Sequence, residues 1–437
     1  MPPVKNPRPS FQSTKTGELQ MKLVTQVLLT LAATISVAGT AGAAQSHPQS
    51  KFGRLDHVFL IMMENQTNTD IVGNPNAPFI NQYAQQVNQA TDYFAVGHPS
   101  APNYLEIVGG SNFGLTSDYW PVWINGFGCV DNEPSSGCAH AFTPISVSGL
   151  DNPVVATAGT AKDCNGQITL GGNPPVTNNC ALRDYPAAPF TPESMADQLV
   201  ARGKTWKTYQ ESLPNIVPGV FGVNFSDGEF TNLSPASVFY VNGPSPTAAT
   251  NIQKLYAVKH NPFAYFENIE AGSNPGLSLD QVVDFDGPNG LWADLANEEE
   301  MPNFSFIVPN QCHDMHGFVS GGTTICATGG PAAVNLAIQQ GDAEVSKLVN
   351  GIKATKAWRH GRNAIVIVWD ENDYSNAANR VVFLVETNYA ANGAVSSVPY
   401  DHFSLLRTLE AGFGLPCLNH ACDDTSLVMN DVFTGLP

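Results

Sequence analysis

Two short acidic runs, each closing an apolar stretch, are the residues of this chain best suited to chemistry. Glu64-Asn65 follows His57-Val58-Phe59-Leu60-Ile61-Met62-Met63, and Asp370-Glu371 follows Asn363-Ala364-Ile365-Val366-Ile367-Val368-Trp369. Four oxygen-bearing side chains gathered at one place suit a hard divalent cation, because carboxylates left without one repel each other. Taken singly, each run reads more simply as an acidic turn at a strand end. Ser100 lies between prolines in His98-Pro99-Ser100-Ala101-Pro102-Asn103-Tyr104, just ahead of Leu105-Glu106-Ile107-Val108. A helix is expected to begin after Pro102. Ser100 would then be a nucleophile beside helix N–H groups, or an ordinary N-cap. Lys259-His260 precedes the helix-breaking Pro262, and Cys312-His313-Asp314-Met315-His316-Gly317 forms a second basic and acidic cluster. A lone histidine such as His260 is more often structural, and His313-x-x-His316 is a spacing that zinc also uses. Glu211 reads as a solvated turn residue and a weak site candidate.

These residues need a scaffold. The two apolar runs are unbroken rather than alternating, so they read as strands buried on both faces, as in a parallel sheet. Further strands are expected at Thr205–Tyr209, Phe304–Val308 and Val381–Val385. One helix is expected to be capped by Thr191 and ended by Gly203. A second is opened by Gly341-Asp342 with Val345, Leu348, Val349 and Ile352 on one face. A third runs from Asp401 to Leu409 with His402 in its first turn. The alternation predicts an α/β fold: a mostly parallel central sheet with helices on both faces, binding its ligand beyond the carboxyl ends of the strands.

Met21-Lys22, the apolar Leu23–Val37 and the small residues through Ala43 have the form of a signal peptide, too short for a membrane anchor. Residues 1–43 are therefore expected to be a removed leader, and 44–437 a single domain that is secreted or periplasmic. Residues 111–190, rich in Gly, Asn, Pro, Ser and Thr, read as an irregular, disulfide-stapled, lid-like insertion. Eight cysteines form four local pairs, Cys129/Cys138, Cys164/Cys180, Cys312/Cys326 and Cys417/Cys422, expected as disulfides. The formal charge of −18 disfavours nucleic acid and anionic membrane surfaces as partners. An anionic substrate would need a local positive centre, and a bound divalent cation would supply one. The oligomeric state is left open by the sequence.

With these stretches in place, the chain resembles the secreted phosphoesterase family of acid phosphatases and non-specific phospholipases C, whose fold is like that of alkaline phosphatase. The resemblance rests on Met63-Glu64-Asn65, the His98 to Tyr104 segment, Lys259-His260-Asn261-Pro262-Phe263, Pro309-Asn310 with Asp314-Met315-His316, Trp369-Asp370-Glu371 and the His402 to Leu409 helix. It implies that Glu64, Asn65, Asp370 and Glu371 hold one divalent cation. Ser100 would be a fifth ligand and the nucleophile, passing through a phosphoserine. His260 and His316, oriented by Asp314, would bind phosphoryl oxygens and protonate the leaving alcohol. His98, Asn103 and His313 are expected at the substrate. Ala101 and Gly317 depart from the family pattern. The segment Gln66-Thr67-Asn68-Thr69-Asp70 and the chain length point to the acid-phosphatase branch, with a small phosphate monoester as substrate. A phospholipase C acting on phosphodiesters and a non-catalytic secreted binding protein are the alternatives.

Overall fold

A computed structural model describes residues 48–115, 118, 190–213, 215–217, 220–221, 255–272, 274–297, 301–320, 323–326 and 331–435. The expected leader, most of the 111–190 insertion and the pairs Cys129/Cys138 and Cys164/Cys180 lie outside these residues. Among the described residues one sheet holds β1 (His57–Met63), β2 (Asn88–Ala90), β3 (Trp206–Gln210), β4 (Val282–Val283), β5 (Phe304–Val308), β6 (Asn363–Trp369), β7 (Phe383–Thr387) and β8 (Val395–Ser396). Their order is β8-β2-β7-β6-β1-β5-β3-β4. Strands β6, β1, β5, β3 and β4 run parallel to one another. Strand β7 runs against its neighbours β6 and β2, and β8 pairs parallel with β2. The sheet is mixed and mostly parallel, as the unbroken apolar runs predict.

β1 and β6 form the centre. Their register runs from His57 opposite Asn363 to Met63 opposite Trp369. Every residue from Val58 to Met63 and from Asn363 to Trp369 is buried, which is why neither strand alternates with polar residues. This register delivers Glu64 and Asp370 side by side, with the Asp370 N–H donating to the Met63 carbonyl at 3.0 Å. β5 lies on the other side of β1, pairing Ile61 with Ile307, and ends just before the Pro309–Gly317 loop.

The helices that frame this edge are α1 (Ser100–Gly109), α2 (Met195–Ala201), α3 (Pro331–Ala354) and α4 (His402–Phe413). α1 starts at Ser100 rather than after Pro102. Pro102 falls in the first turn, where an N–H has no intrahelical acceptor and its loss costs nothing. Gly110 ends α1 at φ +68°, and a Cβ there would lie 2.4 Å from the Leu418 carbonyl oxygen, so the turn requires glycine. α2 is capped by Ser194 and Asp197, not by Thr191: the Ser194 N–H donates to Asp197 Oδ2 at 2.8 Å. α3 opens at Pro331, well before Gly341, because Ala332, Ala333, Leu336 and Ala337 are strong helix formers that carry the helix through the glycine. The expected Val381–Val385 strand is divided. Arg380–Val381 pairs with Tyr93–Phe94 in a small sheet, and β7 continues in the main one. α4 is capped by Asp401, which accepts the Ser404 N–H at 2.8 Å, and it packs against α1. One hydrophobic core runs from Phe52 to Phe433. Cys312–Cys326 and Cys417–Cys422 are disulfides, in the local pairing expected. Among the described residues no helix is long and apolar enough to cross a membrane.

Candidate active site at the strand ends

Ser100, the first residue of α1, is fully buried against the carboxyl ends of β1 and β6. Its Oγ lies 3.1 Å from Glu64 Oε2, 3.1 Å from Glu371 Oε1 and 3.5 Å from Asn65 Oδ1. The Asn65 N–H reaches Asp370 Oδ1 at 3.3 Å. Asn65 takes φ +39°, a left-handed conformation that asparagine tolerates better than most residues, at the point where the chain turns out of β1. Glu64, Asn65, Ser100, Asp370 and Glu371 are thus gathered at one edge of the sheet.

The electrostatics are severe. Burial raises the pKa of Glu64 well above the usual carboxylate range, and Asp370 adds to the shift. Burial does the same to Asp370, with Glu371 as the next cause, and to Glu371, with Asp118 and Glu64 behind it. Like charges out of water resist ionising together. Asp370 Oδ2 is buried without a hydrogen-bond partner among the described residues. An orphaned carboxylate oxygen beside other hard oxygen donors fits a divalent cation. The oxygens of Glu64, Asp370 and Glu371 are nonetheless not all within 4.8 Å of one another. Among the described residues only Glu211, His313 and Glu344 form a trio that close.

The histidines fall into different settings. His260 Nε2 is 3.1 Å from Glu64 Oε1, its Nδ1 is 3.5 Å from Asp314 Oδ2, and its ring stacks on Tyr104 with centroids 5.1 Å apart. Burial lowers the His260 pKa well below its usual value, helped by the neighbouring Lys259 and His316. Asp314 is itself buried and its pKa raised by that burial and then by Glu64. Its Oδ1 accepts the His316 N–H at 2.7 Å, and its carbonyl accepts the Glu64 N–H at 2.8 Å, which ties the β5 loop to the end of β1. His316 Nδ1 donates to the Gly317 carbonyl at 2.8 Å, since a carbonyl can only accept, and this leaves Nε2 facing Lys259 Nζ at 3.4 Å. Gly341 of α3 accommodates this loop: a Cβ there would meet Met315 Cγ at 2.4 Å.

His98, Asn103 and His313, expected at the substrate, have other partners here. His98 is buried, hydrogen-bonds Glu371 Oε2 through Nδ1 and stacks on Tyr374 with centroids 3.8 Å apart. Burial pushes its pKa down to about 3, opposed by a hydrogen bond with Asn372. Asn103 spends its amide on the preceding loop, accepting the Val96 and Gly97 N–H groups and donating to the Gly97 and Pro99 carbonyls. His313 turns to Glu211, with Nδ1 at 2.8 and 2.9 Å from its two oxygens. Burial alone would lower the His313 pKa, but the hydrogen bond and charge of Glu211 outweigh it and raise it. Glu211 is therefore not a free turn residue: it also accepts the Asn310 N–H at 2.9 Å.

Three residues with no role in the sequence reading border the site. His402 bridges the Asp370 carbonyl through Nε2 at 2.6 Å and the Tyr93 hydroxyl through Nδ1 at 2.9 Å. Lys259 is 97 % buried by side chain and pairs with Asp118 Oδ2 at 3.0 Å. Asp118 Oδ1 accepts the Ala101 N–H at 2.9 Å. Lys259 had a signal, as a cation in an acid-rich chain. Asp118, inside a stretch of Gly, Asn, Pro and Ser, had none.

The chain is similar in sequence to known phosphatases. The chain is 23% identical over 366 residues to phosphatidylinositol-3-phosphatase of Mycobacterium tuberculosis, covering 84% of this chain and 79% of that one. It is 20% identical over 423 residues to an acid phosphatase of Aspergillus fumigatus, covering 90% and 68%. A solved Vibrio parahaemolyticus protein described as in the alkaline phosphatase superfamily aligns at 12% identity with a TM-score of 0.43, covering 86% and 72%. The profile of the phosphoesterase family matches residues 74–416, and the chain belongs to that family.

Proposed function

We propose that this chain is an exported, metal-dependent phosphomonoesterase in which Ser100 attacks phosphorus and carries the phosphoryl group as a phosphoserine. The observation behind this reading is the buried Ser100 Oγ, within 3.1 Å of both Glu64 and Glu371 at the head of α1. Glu64, Asn65, Asp370 and Glu371, with Ser100 Oγ, would hold one divalent cation. When bound, such a cation supplies the positive charge that lowers the serine pKa and offsets phosphoryl charge.

The chain's own groups account for the proton movements. The Ser100 hydroxyl proton passes to a neighbouring carboxylate oxygen, Glu371 Oε1 or Glu64 Oε2, as Oγ bonds to phosphorus and the ester oxygen departs. His316, fixed by its Nδ1 hydrogen bond to Gly317, would protonate that oxygen from Nε2 after taking up a second proton from solvent. His260, held between Glu64 and Asp314, lines the same edge and orients phosphoryl oxygens. Water then attacks the phosphoserine with these roles reversed. His98 and Asn103 keep Glu371 and the Ser100 turn in position.

The relatives named as phosphatases support a monoester over a diester substrate. The signal-like leader and two disulfides among the described residues support export to an oxidising compartment. The test is turnover of p-nitrophenyl phosphate beside p-nitrophenylphosphorylcholine. The monoester should be hydrolysed and the diester spared. Cleavage of the diester alone would replace this reading with a phospholipase C activity.

A further inference from the structure

Next to the nucleophile, two positively polarised groups converge on a carboxylate of the chain itself. The Ala101 N–H, in the first turn of the ten-residue helix α1, donates to Asp118 Oδ1 at 2.9 Å. Lys259 Nζ donates to Asp118 Oδ2 at 3.0 Å and lies 3.4 Å from His316 Nε2. A helix N-terminal N–H and a buried ammonium make an anion site, and a carboxylate held through both oxygens imitates two oxygens of a phosphoryl group. The placement is otherwise unfavourable, because Glu64, Asp314, Asp370 and Glu371 already crowd this edge with acidic groups. Among the described residues, Ala101 and Lys259 are the groups that hold one more there. Lys259 is almost wholly enclosed, at 3% side-chain exposure, while Asp118 keeps 12%.

We propose that the Ala101 N–H and Lys259 Nζ form the pocket for the substrate's phosphoryl oxygens, and that Asp118 occupies it as an internal competitor. The proposal rests on the phosphoesterase reading and extends it: Lys259 is a substrate-binding residue, and Asp118 sets how tightly the site holds phosphate. A substrate entering the pocket displaces Asp118 from both donors. Asp118 therefore weakens binding of substrate and product alike and favours product release.

The test measures inorganic phosphate binding to the full chain by calorimetry, beside KM and kcat with p-nitrophenyl phosphate. Asp118→Ala should tighten phosphate binding and lower KM by about tenfold, with kcat changed less than KM. Asp118→Asn, which keeps the shape and the acceptor for Ala101 but loses the charge, should fall between. Lys259→Met should weaken phosphate about tenfold, and adding Asp118→Ala to it should bring no further tightening, since the two act through one contact. Simple relief of bulk negative charge would instead tighten phosphate equally with or without Lys259, and that result overturns the proposal. So does unchanged or weaker phosphate binding in Asp118→Ala and Asp118→Asn while the wild type turns over the monoester. A wild type that neither binds phosphate nor hydrolyses the ester overturns the phosphoesterase reading along with it.

Discussion

Ser100 Oγ and Glu371 Oε1 lie 3.1 Å apart although 271 residues separate them in the chain. Strand register makes the contact possible. β1 and β6 end level with each other, so Glu64 and Asp370-Glu371 emerge together, and α1 begins where its first hydroxyl drops between them. The carboxylate oxygens around Ser100 are made basic by burial and by one another. Such acceptors can take up the hydroxyl proton, while the alkoxide that forms needs positive charge beside it.

Asp370 is the residue whose removal should separate chemistry from folding. Asp370→Ala is expected to lower kcat/KM at least about 100-fold and to reduce bound metal in elemental analysis. In chelator its Tm should equal or exceed that of the wild type, because one of several crowded buried acids is gone. The Asp370 carbonyl that binds His402 is retained. A fully active variant would remove the cation from the account.

Gly110 anchors the far end of the helix that carries Ser100. With φ at +68° and the Leu418 oxygen 2.4 Å from any added Cβ, Gly110→Ala should cost about 2–3 kcal/mol of stability. Urea unfolding followed by circular dichroism measures this. A loss below about 0.5 kcal/mol would show that the α1–418 contact yields easily.

Asp284 gives a pH dependence away from the proposed metal ligands. Its Oδ1 accepts the Ser212 N–H at 3.0 Å, yet burial, opposed by its backbone hydrogen bonds and aided by Asp286, raises its pKa from 3.8 to about 6. The folded state then binds the proton more tightly than the unfolded state. Its favourable contribution is complete below pH 3.8 and is lost as the pH rises through about 6. Asp284→Asn, fixed in a neutral form, should gain on the wild type across that window by up to about 2 kcal/mol. Thermal melts at pH 4 and pH 7 read the difference; a constant gap between the two proteins would contradict it.

The elements that were legible in sequence are those with one dominant local cause. Val58–Met63 and Ala364–Trp369 are apolar without interruption because both faces are covered, and the acids that follow mark the strand ends. Boundaries set by competing causes were less legible. Gly341 looked like a helix start, but Ala-rich residues carry α3 through it and Met315 occupies the space its missing side chain leaves. Val381–Val385 reads as one strand, whereas the chain changes partner at Val382, a tertiary event with no local signature. That Glu64, Asn65, Asp370 and Glu371 meet at one sheet edge is legible from residue type and position, whereas Ser100 joins them only through the family resemblance. The partners of His98, Asn103 and His313 depend on contacts with Glu371, the 96–99 loop and Glu211, which no spacing encodes. Asp118 was invisible for the same reason.

The most direct test of the central claim is to trap the phosphoryl group on the enzyme. The protein is mixed with p-nitrophenyl phosphate, quenched in acid within one turnover, digested and examined by mass spectrometry. One phosphoryl group is expected on the peptide containing Ser100, absent from Ser100→Ala, whose kcat falls at least about 10³-fold. A Ser100→Ala enzyme that keeps its turnover, or a phosphoryl group found only on another residue, would contradict it.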